Sequence, residues 1–284
     1  MKYAWFTVGL PEWTPERTVK ELRKAGYDGA EWRVVKDDGD MAKPSFWKGN
    51  RCTLQEDWPL SKFKEVARMT AEEGLSVPNL GSYCLAAERD RVERMMEVAR
   101  IFSAPSLRVG ICWWDGKADS RPLWDKGLSD YAKVADLAGR YGLRALLEIH
   151  MNTLAPSASA AFRFVSHFPV SRVGVIHDAG NMEYEGFENY RLGLETLGDY
   201  LAHVHVKNSE PFSEKDPDLN RLKWGVRASP LREGSADFPA FFSALKTRNY
   251  DGWLSIEDFS LKAAQEEKVV DNIRFLKEIE TKVS

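Results

Sequence analysis

The sequence predicts an α/β fold of a single domain over residues 1–284, closed as a (β/α)8 barrel. Three observations predict it. Short β-like apolar runs alternate with longer runs of helical spacing, eight times along the chain, which implies parallel strands joined by crossover helices. Connections from strand to helix are long (35–59, 113–127, 208–236), while those from helix to strand are short (GYD, GLS, YGL, NYDG). The first strand leads into GLPEWTPE rather than a glycine-rich phosphate turn, which argues against an open doubly wound sheet. A chain of 284 residues is an ordinary length for one such barrel.

The elements follow in order. Residues 3–8 are apolar and aromatic, and Leu10-Pro11 breaks the run. Residues 15–25 carry helical spacing, with Thr14 as N-cap and Gly26 as the stop. DGAEWRV, 28–34, reads as the second strand, followed by a helix at 60–73 that Gly74 ends. The third unit is strand 76–80 with helix 89–102, and the fourth is strand 107–112 with helix 129–141, Gly142 lying just past its end. Strand 143–149 pairs with helix 157–168, and strand 173–176 with helix 187–200. Strand 201–206 pairs with helix 237–248, and strand 252–256 with a long last helix at 262–280. In a barrel the long connections share one face, at the C-terminal ends of the strands, and active sites lie there.

Composition narrows the function. Hydrophobic content of 43% and charged content of 29% are ordinary for a globular chain, and a net charge of −3 provides no basic field for nucleic acid or an anionic membrane. Cys52, Cys84 and Cys112 form no C-x-x-C pair, which excludes a disulfide framework and a thiolate zinc knuckle and suits a reducing compartment. MKYAWFTVGLPEW lacks an apolar signal core and nothing downstream reaches membrane-spanning length, so the expected location is the cytoplasm.

The strand ends carry the chemistry. LLEIH places Glu148 and His150; VIHDAGN places His177, Asp178 and Asn181; HVHVKN places His203, His205, Lys207 and Asn208; LSIEDF places Glu257 and Asp258. One acid at a strand end is usually a helix N-cap or a solvated loop residue. Four successive strands ending this way require another account. Carboxylates on adjacent ends repel one another in a partly desolvated mouth, and a divalent cation that takes three carboxylate oxygens and one imidazole nitrogen removes the repulsion. Mixed oxygen and nitrogen donors suit Mn²⁺, Mg²⁺, Co²⁺ or Zn²⁺. By alternation His177 points outward to the helices, while His150 shares the side of Glu148 and is a candidate additional base or hydrogen-bond donor. Lys207 is placed to hold developing negative charge, and Asn181 is a further candidate for binding substrate. His203 reads as a wall residue and His167, on a helix, as structural. The loops add Trp47, Trp58, Trp113, Trp114 and Trp224, whose rings suit the C–H faces of sugars, and Arg227 and Arg232, suited to a hydroxyl-rich or anionic substrate.

These segments resemble the xylose isomerase-like TIM-barrel family of sugar isomerases and epimerases, inosose dehydratases and endonuclease IV. GYDGAEWRV resembles its second strand, and LLEIHMN, HDAGN, HVHVKN and REGSADF with NYDGWLSIED resemble its later strands in order, across nearly the whole chain. The resemblance implies one divalent ion, manganese foremost, on Glu148, Asp178, His205 and Glu257. His205 is chosen over His203 because the family pattern is a histidine, two residues, then an acid or amide, which H-V-K-N fits. It also implies Glu148 and Glu257 as an acid/base pair, and a small carbohydrate as substrate. The expected assembly is a homo-oligomer, with a second kind of subunit as the alternative. Asn181 stands where sugar 3-epimerases have a histidine, and Asn208 where they have an acid.

The first reading is therefore a metal-dependent isomerase or epimerase working through an enediolate. A lyase of the same superfamily is the second, either a dehydratase or an enzyme that removes an aglycone from a 3-keto sugar; His150 and Asn181 point toward it. A non-catalytic sugar-binding barrel is the third. Endonuclease IV chemistry needs a three-metal cluster and a basic DNA face, which five histidines and a net charge of −3 do not supply.

Overall fold

The structure, a computed structural model, describes residues 1–283. Eight parallel strands close into a barrel in the order β1-β10-β7-β6-β5-β4-β3-β2, and an antiparallel pair, β8-β9, stands apart. The barrel strands are β1 (Lys2–Phe6), β2 (Gly29–Val34), β3 (Leu80–Ser82), β4 (Ser106–Arg108), β5 (Arg144–Glu148), β6 (Val173–Asp178), β7 (Leu201–Val206) and β10 (Trp253–Ile256). The helices are α1 (Pro15–Ala25), α2 (Leu60–Glu72), α3 (Arg89–Ile101), α4 (Ser120–Tyr141), α5 (Ala158–Val165), α6 (Ala179–Tyr184), α7 (Tyr190–Leu197), α8 (Phe238–Thr247) and α9 (Gln265–Lys282). Among the described residues no helix is long and apolar enough to cross a membrane.

Strand alternation sorts side chains between two layers. Tyr3 and Trp5 point outward into the main apolar layer between strands and helices, where Trp5 meets Tyr27 edge-on at 5.9 Å. Phe6 points inward, its ring 5.4 Å from that of His205, and Gly81 opposite leaves room for it, since a Cβ there would strike the Phe6 ring. His177 faces outward as alternation predicts, stacked on Phe241 at 4.9 Å; burial pushes its imidazole down to about 4, so it stays neutral.

Helix α1 begins and ends where the sequence places it. Thr14 accepts from the Arg17 amide, Pro15 opens the first turn, and Gly26 closes the helix at φ 89°. Three other expectations are corrected. β3 is Leu80–Ser82 rather than 76–80, because Pro78 has no N–H for the ladder and only an isolated bridge forms at Ser76. β4 is Ser106–Arg108, shorter than 107–112, with Gly110 bridging to Leu85 instead. Helix α4 starts at Ser120, capped by Asp119, and not at 129. Gly127 suggested a loop, but it lies within the helix, where a Cβ would come 3.3 Å from the Phe164 ring; the glycine is a packing contact.

The segments 187–200 and 208–236 also differ from expectation. The first holds α7 and a short 3-10 turn, and α6 follows β6 directly with Asp178 as its N-cap. The second is not a loop: β8 (Asn208–Asp216) and β9 (Arg221–Ser229) form a hairpin whose base lines the mouth. Most of its charged residues share one face, where Arg227 pairs with Glu210, and Leu222, Trp224, Val226 and Ala228 alternate with them along β9, a period of two that the sequence does display.

Candidate metal centre

The ends of β5, β6, β7 and β10 converge. Glu148 closes β5, Asp178 closes β6, His205 lies one residue before the end of β7, and Glu257 follows β10 directly. One donor atom from each lies within 4.8 Å of the others, and all four side chains are buried. Nδ1 of His205 is 3.1 Å from Oε1 of Glu148, 3.5 Å from Oε1 of Glu257 and 3.7 Å from Oδ2 of Asp178. Two ligands that share a divalent ion, each about 2.0–2.2 Å from it, stand about 3.0–3.6 Å apart. The separations around Nδ1 of His205 are close to those of a coordination shell, and three carboxylates with one imidazole are a fitting donor set. An imidazole nitrogen carries at most one proton, which serves one of three such oxygens and not all of them.

Two cations flank the cluster. Arg108, at the end of β4, donates from Nη1 to Oε2 of Glu148 at 2.8 Å. Lys207 Nζ is 2.7 Å from Oδ2 of Asp178 and 2.7 Å from Oε2 of Glu257. These neighbours separate the two glutamates. Burial would raise the Glu148 carboxyl, but Arg108, His205 and Lys207 reverse this and hold it well below the usual range. Burial of Glu257, reinforced by the charges of Glu148 and Asp178, outweighs Lys207 and His205 and leaves its carboxyl raised. Lys207 is itself held firmly protonated: burial opposes the charge, but Asp178, Glu257 and Glu148 win.

A cavity of about 590 Å³ opens above the cluster, lined by Glu148, Glu257, Lys207, His150, Trp113 and Phe259 among others. His150 is half-buried at its edge, Nδ1 2.7 Å from the Met151 carbonyl and its ring edge-on to Trp113 at 5.1 Å. Asn181 also lines the cavity, but its amide donates to Oδ2 of Asp178 at 3.0 Å and to the Ile149 carbonyl at 3.0 Å, so it braces a carboxylate. Asn208 holds the hairpin base: it accepts from the Ser209 and Ala236 amides and donates to the Leu231 carbonyl.

Two proposed substrate contacts lie elsewhere. Trp114 donates to the Ala118 carbonyl and lines a separate surface groove with Trp124 and Arg163. Arg232 is paired with Asp271 at 2.7 and 3.0 Å, and its guanidinium lies 4.4 Å from the Phe275 ring, on the outer face of α9. Both are held by local partners that the sequence does not reveal. Conversely, sequence reading passed over Glu31 and Arg108, each a charged residue inside an otherwise apolar strand (GAEWRV, SLRVG). That placement was the available signal, because an inward charge in a barrel strand needs a buried partner.

Comparison with known proteins follows the same line. A family model described as xylose isomerase-like TIM barrel matches residues 19–279. An inosose dehydratase of Clostridium botulinum (strain Alaska E43 / Type E3) is 31% identical over 151 residues, 51% of this chain and 50% of that protein. An inosose dehydratase of Lactiplantibacillus plantarum is 27% identical over 143 residues, 47% of this chain and 46% of that protein. The match thus spans about half the length of the curated relatives. Among solved structures, 3-keto-D-glucoside 4-epimerase YcjR from E. coli superposes with TM-score 0.71 at 18% identity, over 98% of this chain and 99% of that one. The IOLI protein with a bound zinc atom gives TM-score 0.75 at 18% identity, over 100% and 99%. At these identities the superpositions establish a shared fold.

Proposed function

The chain belongs to the xylose isomerase-like TIM-barrel family, and from that premise we propose that it is a divalent-metal-dependent enzyme moving a proton at the carbon beside a carbonyl of a sugar or cyclitol. The observation that carries this reading is the convergence of three carboxylate oxygens on Nδ1 of His205 at 3.1–3.7 Å. A divalent ion held by Glu148, Asp178, His205 and Glu257 would polarise the carbonyl oxygen and acidify the neighbouring C–H bond.

The protein's own groups do the rest. Glu257, which lines the cavity, is the proton carrier, its carboxylate taking the proton from carbon. Glu148 has one oxygen engaged by Arg108 and remains an anion that holds charge in place. Lys207, 2.7 Å from Glu257, meets the negative charge that develops on the substrate oxygen. His150, half-buried in the same cavity, protonates a departing oxygen. One carboxylate base and a separate proton donor fit elimination, of water or of an aglycone, better than a two-base epimerisation. Asn181, committed to Asp178, removes the histidine that 3-epimerases place there. The inosose dehydratases among the relatives support the same choice. The second reading, isomerisation or epimerisation with Glu148 as the opposite base, rests on both glutamates bordering one cavity.

Incubation of the manganese-loaded chain with an inosose and, separately, with D-fructose in deuterated water tests both. The proposal predicts loss of water from the inosose, read by mass spectrometry and NMR. A ketose product of unchanged formula carrying solvent deuterium supports isomerisation instead. No deuterium incorporation and no elimination with either compound contradicts the proposed proton transfer.

A further inference from the structure

We propose that Glu31 is the positioning residue of this centre: with His203, it fixes the His205 proton on Nε2 and so presents the Nδ1 lone pair to the cation. The inference rests on the cluster being a cation site, as argued above.

Glu31 lies inside β2, fully buried at the floor of the mouth. Its Oε2 is 2.9 Å from Nε2 of His203, and both its oxygens are 3.2 Å from Nε2 of His205. Oε1 also accepts from the Asn79 amide at 2.7 Å, and Asn79 in turn accepts from the Ser106 hydroxyl at 2.8 Å. A chain of hydrogen bonds therefore crosses the barrel interior, from Ser106 on β4 through Asn79 to β2 and then to both histidines of β7.

Proton counting gives the direction. An ionised carboxylate only accepts, so both Nε2 atoms facing Glu31 donate. Glu31 Oε1 accepts from the Asn79 amide and Oε2 faces both imidazole Nε2 atoms, the surroundings of a carboxylate that accepts on every side. A neutral imidazole has a single N–H. With that proton on Nε2 of His205, Nδ1 is left as a lone pair facing Glu148, Asp178 and Glu257. Four acceptors then face one point, a donor set suited to a divalent cation, and the Nε2 proton lies on the far side of the ring. Glu31 thereby commits His205 to hold a cation through Nδ1 without touching the ion.

Glu31, His203 and His205 are themselves close enough to form a three-donor group. The network nevertheless reads as hydrogen bonds. Each Nε2 already meets a carboxylate oxygen at bonding distance, and full burial leaves no open position for a fourth ligand.

The test uses the full chain, ¹⁵N-labelled at histidine and titrated with zinc alone. In the wild type, His205 is expected to show zinc on Nδ1 and a proton on Nε2. In Glu31→Gln, the carboxamide N–H can donate where the carboxylate accepted, which favours moving the His205 proton to Nδ1. Zinc affinity is expected to weaken about 10–100-fold, the effect typical of losing such a carboxylate behind a ligand. Zinc on Nε2 of His205, or wild-type affinity and tautomer in Glu31→Gln, overturns the proposal. Should Glu31→Gln fail to fold, the wild-type spectrum decides alone. A wild-type chain that binds no zinc removes the proposed function as well, which distinguishes the two failures.

Discussion

Glu257→Gln is expected to lower turnover by about 10³-fold or more with little loss of stability. Glutamine keeps an oxygen toward the cluster but has no titratable proton, so the substitution separates proton carriage from folding. Lys207 retains Asp178 as a partner at 2.7 Å, which leaves its ammonium paired. Glu148→Gln is expected to abolish turnover as well, but with a structural cost. Arg108 is buried and loses its carboxylate partner, and breaking a buried ion pair from one side costs about 3–5 kcal/mol. Turnover and unfolding midpoints measured on both variants distinguish the roles. Near-wild-type rates in both would mean that neither glutamate has the role given to it.

The second large effect concerns the choice between imidazoles. His205→Asn should weaken manganese or zinc binding by about 100-fold or more, because it removes the one nitrogen among the four donors. His203→Asn should change affinity far less, since the His203 ring reaches Glu31 rather than Glu148, Asp178 or Glu257. Calorimetric titration of the metal-free variants reads both. The reverse order would assign the ligand to His203 and require a different path for β7.

How far the sequence reached can be seen residue by residue. The barrel was legible because its signals are local: Thr14, Pro15 and Gly26 mark the ends of α1 within one short window. The four strand-end donors were legible because parallel strands in sequence order bring their ends together. Alternation also assigned His177 to the outer layer, against Phe241. What was missed depends on distance along the chain. Glu31 meets His203 across a separation of 172 residues, and nothing near GAEWRV says which imidazole lies opposite. Arg108 finds Glu148 in the same way, 40 residues on. Trp114 and Arg232 were misplaced for the converse reason. Loop composition names residues that suit a sugar, but the direction of the loop is set by contacts such as Asp271 and Phe275 on α9. The β8–β9 hairpin differs in kind: Leu222, Trp224, Val226 and Ala228 alternate with charged residues along β9, but β8 (NSEPFSEKD) contains Pro211 and only one large apolar residue, so the pair is half-legible at best.

The account turns on one cation shared by four side chains. Anomalous diffraction from a crystal of the chain soaked with Mn²⁺ tests this most directly. The predicted result is a single strong peak within coordination distance of Glu148, Asp178, Glu257 and Nδ1 of His205. A map with no peak among these groups, or with its peak between Glu31 and His203, would contradict it.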